Sequence, residues 1–230
     1  MRAASDHALE LDRERALALT PTSRDTQTRL DRFVELLLAA QRHTNLISKS
    51  SAATLWTRHI ADSLQLLDLA PDARLWIDLG SGAGFPGLVL ACALADQPGA
   101  QVHLVESTLK KANFLRQTAD QIGVPVMVHA VRIEDFGKTF GARPDAVTAR
   151  ALAPLDKLLG LARPLLEKGA QGLFPKGQDV EHELTQASKY WSFEPKLVPS
   201  KTHPPSRIVC IRGPVRPHAA KPRKPYRSRP

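Results

Sequence analysis

The stretch that decides the fold is Leu75 to Ala91, LWIDLGSGAGFPGLVLA. The apolar run Leu75-Trp76-Ile77 leads into Asp78, glycines follow at 80, 82, 84 and 87, and Leu88-Val89-Leu90-Ala91 resumes an apolar pattern. That order predicts a strand, a glycine turn and a helix. Glycine allows positive φ and lets a ligand come close to the backbone. Pro86 suits the start of a helix, where its missing N–H costs nothing. The free N–H groups of that first turn can face a ligand. The stretch therefore predicts a cofactor cradle at the mouth of a parallel sheet.

Working outward, the chain alternates strand and helix, the pattern of a parallel sheet. Expected strands are Leu75–Leu79, Val102–Val105, Val126–Ala130, Ala146–Ala149 and Gly172–Pro175, with helices near Pro86–Ala95, Leu109–Ile122, Pro154–Glu167 and Asp179–Tyr190. Phe193–Val198 and Ile208–Ile211 are the last strands. The loop between them, with Pro199, Pro204 and Pro205, is too short for a crossover helix, so they should pair antiparallel. A doubly wound, mostly parallel sheet with an antiparallel last strand is the class I S-adenosylmethionine-dependent methyltransferase architecture. Upstream, Leu30, Phe33, Val34, Leu37 and Leu38 recur at helical spacing, and Leu55, Ile60, Leu64, Leu67 and Leu69 mark a second helix ending near Pro71. Residues 25–71 are thus an N-terminal helical cap on a methyltransferase domain spanning 25–213. Residues 1–24 are polar and weakly patterned, and a flexible N-terminus that frays or forms a short helix is expected there.

Two cofactors fit the glycine turn. Gly82 to Gly87 matches the dinucleotide pattern G-x-G-x-x-G, weak evidence when alone. Asp78 and Gly80 extend it to D-x-G-x-G-x-G. An acidic side chain at that lip would repel a pyrophosphate and favour an ammonium or sulfonium, so S-adenosylmethionine fits better than NAD. Glu106 ends the second strand about 20 residues after the turn, where a carboxylate can accept both ribose hydroxyls. With Ser107 and Thr108 beside it, it can equally cap a helix. Arg132-Ile133-Glu134-Asp135 follows the third strand and should flank an adenine, with Ile133 and Phe85 on its faces and Glu134 at its polar edge. Arg150 ends the fourth strand, where a methyl acceptor would lie.

The chain lacks an Asn/Asp-Pro-Pro-aromatic loop after that strand, and neither cysteine lies in that region. Methylation of an exocyclic amine or of pyrimidine C5 is therefore disfavoured. A ring nitrogen such as guanine N7 carries a free lone pair and needs neither base nor nucleophile, so alignment can supply the rate. His59 and Asp62, three apart on a helix, share one face. Arg58, Lys49, Lys176 and Lys201 are candidate phosphate contacts.

Of the 230 residues, 43% are apolar and 24% charged, values that suit one soluble domain. No apolar run approaches the roughly 18 residues of a membrane span. No signal-peptide pattern opens the chain. Cys92 and Cys210 sit in apolar runs as buried thiols, and no Cys/His spacing suggests a metal. A cytoplasmic location is expected. The formal net charge is +9, and residues 214–230 hold six basic residues and no acid. That stretch reads as a disordered, Pro-rich tail that either contacts a polyanion or only confers solubility.

Asn45-Leu46-Ile47, Arg58-His59-Ile60-Ala61-Asp62-Ser63-Leu64, the GSGAGFPG loop, Lys110-Lys111 with Phe114-Leu115, Arg132-Ile133-Glu134, Arg150-Ala151 and Lys176-Gly177 together resemble the RsmG (GidB) family. The resemblance covers about Arg29 to Ile211. It implies S-adenosylmethionine-dependent methylation of N7 of guanine 527 in bacterial 16S rRNA, on rRNA or a 30S subunit, by an enzyme expected to be a monomer. It implies cofactor contacts at Gly80, Phe85, Ile133, Glu134 and Arg150, in addition to Asp78, Gly82 and Glu106. His59, Asp62 and Ser63 would lie near the acceptor, and catalytic roles fall on Arg150 and His59. Ala149 departs from the serine common in the family, and the basic tail inherits no role. The competing readings are a non-catalytic RNA-binding ribosome factor and an NAD(P)-dependent oxidoreductase.

Overall fold

The computed structural model describes residues 2–48 and 53–218, with only the backbone given for residues 2–6. Five parallel strands form the body of one sheet: β1 (Leu75–Leu79), β2 (Gln101–Val105), β3 (Val126–His129), β4 (Ala146–Thr148) and β5 (Gln171–Lys176). After a two-residue β6 (Trp191–Ser192), β7 (Pro195–Pro199) and β8 (Arg207–Ile211) form the antiparallel hairpin. The spatial order is β3-β2-β1-β4-β5-β8-β7, with β8 antiparallel to both β5 and β7. The order reverses between β1 and β4. Crossovers leave that point in opposite directions, so a crevice opens outside the carboxyl ends of those two strands. The glycine turn after β1 sits there.

β1 is buried on both faces, as a central parallel strand must be. Side chains alternate across it, so Trp76 joins one half of the core and Ile77 the other. The first half holds Phe33, Leu37, Trp56, Leu88 and Leu115; the second holds Val147, Leu155, Leu158, Leu159 and Leu165. Helices α4 (Gly87–Leu94), α5 (Leu109–Ile122), α6 (Ile133–Thr139), α7 (Leu155–Leu166) and α8 (Val180–Ala187) connect the strands. Gly123 ends α5 in the left-handed conformation that glycine adopts at helix ends. Among the described residues no helix is long and apolar enough to cross a membrane.

The N-terminus differs from expectation. Residues Arg2–Leu19 form an 18-residue helix, α1, rather than a flexible segment. Its apolar side is sparse, but Ala16 is buried and Leu9 and Leu17 pack on the core. Arg13 adds a two-pronged ion pair to Asp31, at 2.7 and 2.8 Å, on α2 (Arg24–Gln41). Ser23 caps α2 through the Thr26 N–H, as its position before the apolar pattern requires. The second cap helix is also not the regular one expected. It is a π-helical turn, Trp56–Ala61, running into the short α3 (Asp62–Leu64) and then a 3₁₀ turn, Leu67–Leu69.

The far end needs correction too. Val215 is fully buried, and β9 (Arg216–Pro217) pairs with β6. The His218 N–H donates to the Tyr190 carbonyl. The chain thus folds back on the body through His218, beyond the expected boundary at residue 214. The rest of the predicted tail, 219–230, and Lys49 lie outside the described residues.

Asp78 lies next to the end of β1 and is fully buried. Its Oδ2 accepts the Gly87 N–H at 3.1 Å, at the first turn of α4, while Oδ1 has no partner among the described residues. A methyl group on Gly87 would lie 2.2 Å from Leu104 Cδ2 and 2.7 Å from Asp78 Oδ2, so only glycine lets α4 seat here. Burial pushes the Asp78 carboxyl up to about 7, against the pull of its hydrogen bonds. A carboxyl raised in the folded state holds a proton that the unfolded chain releases. Its contribution to stability is complete below the unfolded value near 4 and is lost as pH rises through about 7, at up to about 1.4 kcal/mol per pH unit. Asp78→Asn should remove that loss. Urea unfolding at several pH values should show the variant gaining on wild type from pH about 4 to about 7 and holding level above. A gap that is constant with pH would contradict this protonation state.

Candidate functional site

Two cavities meet at the carboxyl ends of β1 and β4. The inner one is about 570 Å³ and is lined by the glycine loop, Phe85, Glu106, Ile133, Glu134 and residues 46–48. The outer cleft is about 940 Å³ and is lined by the segments around Arg58, Lys176 and the β7–β8 loop, with Asp12 and Arg15 of α1. Both volumes fall within the roughly 300–1,000 Å³ of small-ligand sites. Arg58, His59, Arg150, Ala151 and Leu152 line both. They form the shared wall.

The inner cavity is built as a cradle. Gly80, Gly82 and Gly84 all have positive φ. A Cβ on Gly80 would strike Leu152 at 2.6 Å, so that glycine is needed for packing. A Cβ on Gly82 would find only the Gly80 carbonyl, at 3.7 Å, and would project into free space. Glu106 accepts the Gly82 N–H at 3.0 Å through one oxygen and the Thr108 N–H at 2.7 Å through the other. It therefore braces both the loop and the residue before α5 while lining the cavity. Each carboxylate oxygen can accept a second bond.

Gly80, Gly82, Phe85, Glu106, Ile133, Glu134 and Arg150 all line this cavity. Asp78 does not. It lies beneath the loop rather than at its lip, tied to Gly87, so it cannot serve as the exposed acid expected there. The expected sandwich between Phe85 and Ile133 is also corrected. The Phe85 ring stacks on His59 at 4.7 Å and 23° and tilts against Phe33 at 5.3 Å, with the Arg150 guanidinium 5.4 Å from its centre. The ring therefore serves the wall more than an adenine. Ile133 and Glu134 open α6, so that loop is a helix N-terminus with its free N–H groups.

The wall itself hangs on Arg150. Its guanidinium donates to the Arg58 carbonyl at 2.9 Å, to Asp62 Oδ2 at 3.3 Å, and to His59 Nδ1. Arginine only donates, so Nδ1 is the acceptor and the imidazole proton sits on Nε2. Nε2 is buried with no partner among the described residues. Burial, then the charges of Arg150 and Arg58, pull His59 down to about 3. The ring is neutral at any working pH. The Asp62 carboxylate reaches across to Gln65 at 2.8 Å and Thr202 at 2.9 Å, which ties the wall to the β7–β8 loop. Ala151 follows at φ 54°, a left-handed conformation that costs a non-glycine residue roughly 1–2 kcal/mol. Such strain persists where the surroundings impose it.

Other expected residues fall away from this work. Ser63 is fully buried and its hydroxyl donates to the His59 carbonyl, so it faces its own helix rather than the acceptor. Lys176 donates to the Ala153 carbonyl and pairs with Glu183 at 2.7 Å, so it holds the cleft wall rather than offering a free charge. Lys201 pairs with Asp68 at 2.6 Å. Among the described residues Arg58 alone of the three is exposed with no hydrogen bond to its guanidinium, and it lines both cavities. Residues that sequence reasoning missed are Asp12, Gln65, Ala151 and Thr202. Their roles arise from contacts between distant segments, which leave no local pattern.

Comparison with known proteins places this geometry. The family model described as rRNA small subunit methyltransferase G (GidB) matches residues 26–209. A ribosomal RNA small subunit methyltransferase G of Bradyrhizobium sp. strain BTAi1 is 59% identical over 200 residues, covering 87% of this chain and 90% of that protein. Its counterpart in Bradyrhizobium sp. strain ORS 278 is 57% identical over 209 residues, covering 91% and 94%. The fold is also that of the O-methyltransferase TomG from Streptomyces achromogenes, solved in complex with SAM. The TM-score is 0.59 at 13% identity, over 90% of this chain and 98% of that one. With the match running through the glycine cradle and the Arg150 wall, the chain belongs to the rRNA small subunit methyltransferase G family.

Proposed function

We propose that this chain transfers the methyl group of S-adenosylmethionine to N7 of guanine 527 in 16S rRNA, acting as a monomer on rRNA or a 30S subunit. The observation that carries the reading is the wall shared by two cavities, one a glycine cradle and one an open cleft, whose histidine is held neutral as a hydrogen-bond acceptor. The cradle suits the cofactor: Gly82 leaves free space above the loop, Glu106 has acceptor capacity to spare, and Gly80 admits no larger residue. When bound, S-adenosylmethionine supplies an electrophilic methyl carbon on a sulfonium. The chain's own residues hold that cofactor in the cradle, hold the acceptor in the cleft, and keep Arg150 fixed between them.

The neutral, acceptor-bound His59 in the wall favours N7 over acceptors that must lose a proton. An exocyclic amine must lose a proton, and His59, at about 3, is poorly suited to take one. Pyrimidine C5 needs a thiolate, yet Cys92 is buried with its thiol pushed up to about 12, and neither cysteine lines the inner cavity or the outer cleft. N7 needs only alignment of its lone pair with the methyl carbon, a gain of proximity and orientation. Arg150 and Arg58 bring the positive charge that an electron-rich guanine edge accepts.

S-adenosylmethionine and its demethylated product should bind in calorimetry, and NAD should not. Gly82→Val should abolish the cofactor heat by filling the free space above the loop. Heat from NAD alone would refute the cradle assignment.

Labelled methyl transfer to 30S subunits and to 16S rRNA, with the modified nucleotide mapped, tests the reaction. Arg150→Ala should cut turnover at least about tenfold, about 1.4 kcal/mol of transition-state stabilisation. Because His59 is neutral above about 3, the wild-type pH–rate profile should show no limb that disappears in His59→Ala. A lost limb would make His59 a base, and wild-type turnover in Arg150→Ala would make that residue purely structural.

Residues 219–230 carry five of the chain's positive charges: Lys221, Arg223, Lys224, Arg227 and Arg229. Removing them while keeping His218, which the fold uses, should lower the slope of log affinity against log salt for RNA by about 2 to 4. Cofactor affinity should not change. Identical slopes would assign this segment to solubility.

A further inference from the structure

The π-helical turn Trp56–Ala61 presents Arg58 and His59 to both cavities, yet the residue before it supplies no side-chain cap. Leu55, before it, offers no side-chain hydrogen bond. The cap comes from 44 residues away. Asp12 Oδ2 accepts the N–H groups of Trp56 at 2.8 Å and Thr57 at 3.1 Å, and Oδ1 accepts the Thr57 hydroxyl. One carboxylate thus satisfies two of the open donors at the start of the turn and places negative charge where a helical N-terminus favours it.

The next residue adds a second hold. The Arg13 guanidinium lies 5.3 Å from the centre of the Trp56 ring while its prongs stay on Asp31. Asp12 also lines the outer cleft. π-helical turns are rare, cluster at functional sites, and last only where the surrounding structure imposes them. Here α1 imposes it from outside the family-matched segment, which begins at residue 26.

We propose that Asp12 is a positioning residue for methyl transfer. By capping the π turn it fixes Arg58 and His59 in the shared wall and, through His59 Nδ1, fixes Arg150. It touches neither cofactor nor acceptor in this role. The proposal rests on the methyl-transfer reading given above.

The test uses the full chain, with wild type, Asp12→Ala and Asp12→Asn compared on one 30S preparation. Single-turnover rate, substrate KM, cofactor affinity by calorimetry and melting temperature are measured well below the lowest melting point. The wild-type rate tests the proposed function; the variant-to-wild-type ratio tests the role of Asp12. Asp12→Ala should lower the single-turnover rate by about tenfold or more with cofactor affinity unchanged. Asp12→Asn keeps a carbonyl oxygen for the two N–H groups and should recover most of that rate. A structural cap alone would lower the melting temperature of Asp12→Ala and leave its rate at the wild-type value, and that result would overturn the proposal. So would an Asp12→Asn rate no better than that of Asp12→Ala. If Asp12→Ala does not fold, Thr57→Val removes only the hydroxyl bond. Its rate should fall about threefold with cofactor affinity held, and an unchanged rate would overturn the proposal.

Discussion

A partly buried guanidinium organises this molecule. Arg150 leaves the end of β4 and meets a backbone carbonyl, an imidazole and a carboxylate, all from the cap segment that begins at the π turn. A charge taken from water is tolerable only when its donors are met, and removing one partner would leave the others buried and unpaired. The arrangement therefore acts as a unit. It joins sheet to cap, and Asp62 carries the link on to Gln65 within the cap and to Thr202 of the β7–β8 loop. The two cavities are separate because this cluster stands between them.

The carboxylates beneath the cradle follow the same economy. Asp78 and Glu106 spend their hydrogen bonds first on backbone N–H groups, at Gly87, Gly82 and Thr108. That use holds the glycine loop open without a ligand, which is preorganisation in a literal sense. It also divides their roles. Glu106 borders the cavity with acceptor capacity left, whereas Asp78 is sealed below and pushed up to about 7. His59 shows the converse shift: burial beside two arginines keeps it neutral and turns a familiar base into a hydrogen-bond acceptor in a wall.

The sequence by itself determined the sheet. Leu75–Ala91 specified strand, turn and helix, because apolar periodicity and glycine placement are local properties. The alternation after it set the parallel order, and the short proline-rich loop after Pro199 set the antiparallel hairpin. Most residues lining the inner cavity were legible for the same reason, since strand ends and the turns after them must face the switch point. Other features were decided only by tertiary structure. α1 shows little apolar pattern, and its order comes from an ion pair to Asp31 and a cap offered to Trp56 and Thr57. The π turn has no local signature, because its cap sits 44 residues upstream. Asp78 and Phe85 were identified as important, but which way their polar atoms and ring faces turned depended on Gly87, His59 and Phe33. Hydrogen bonds between side chains that fold together from 44 to 140 residues apart have no period for a sequence to display.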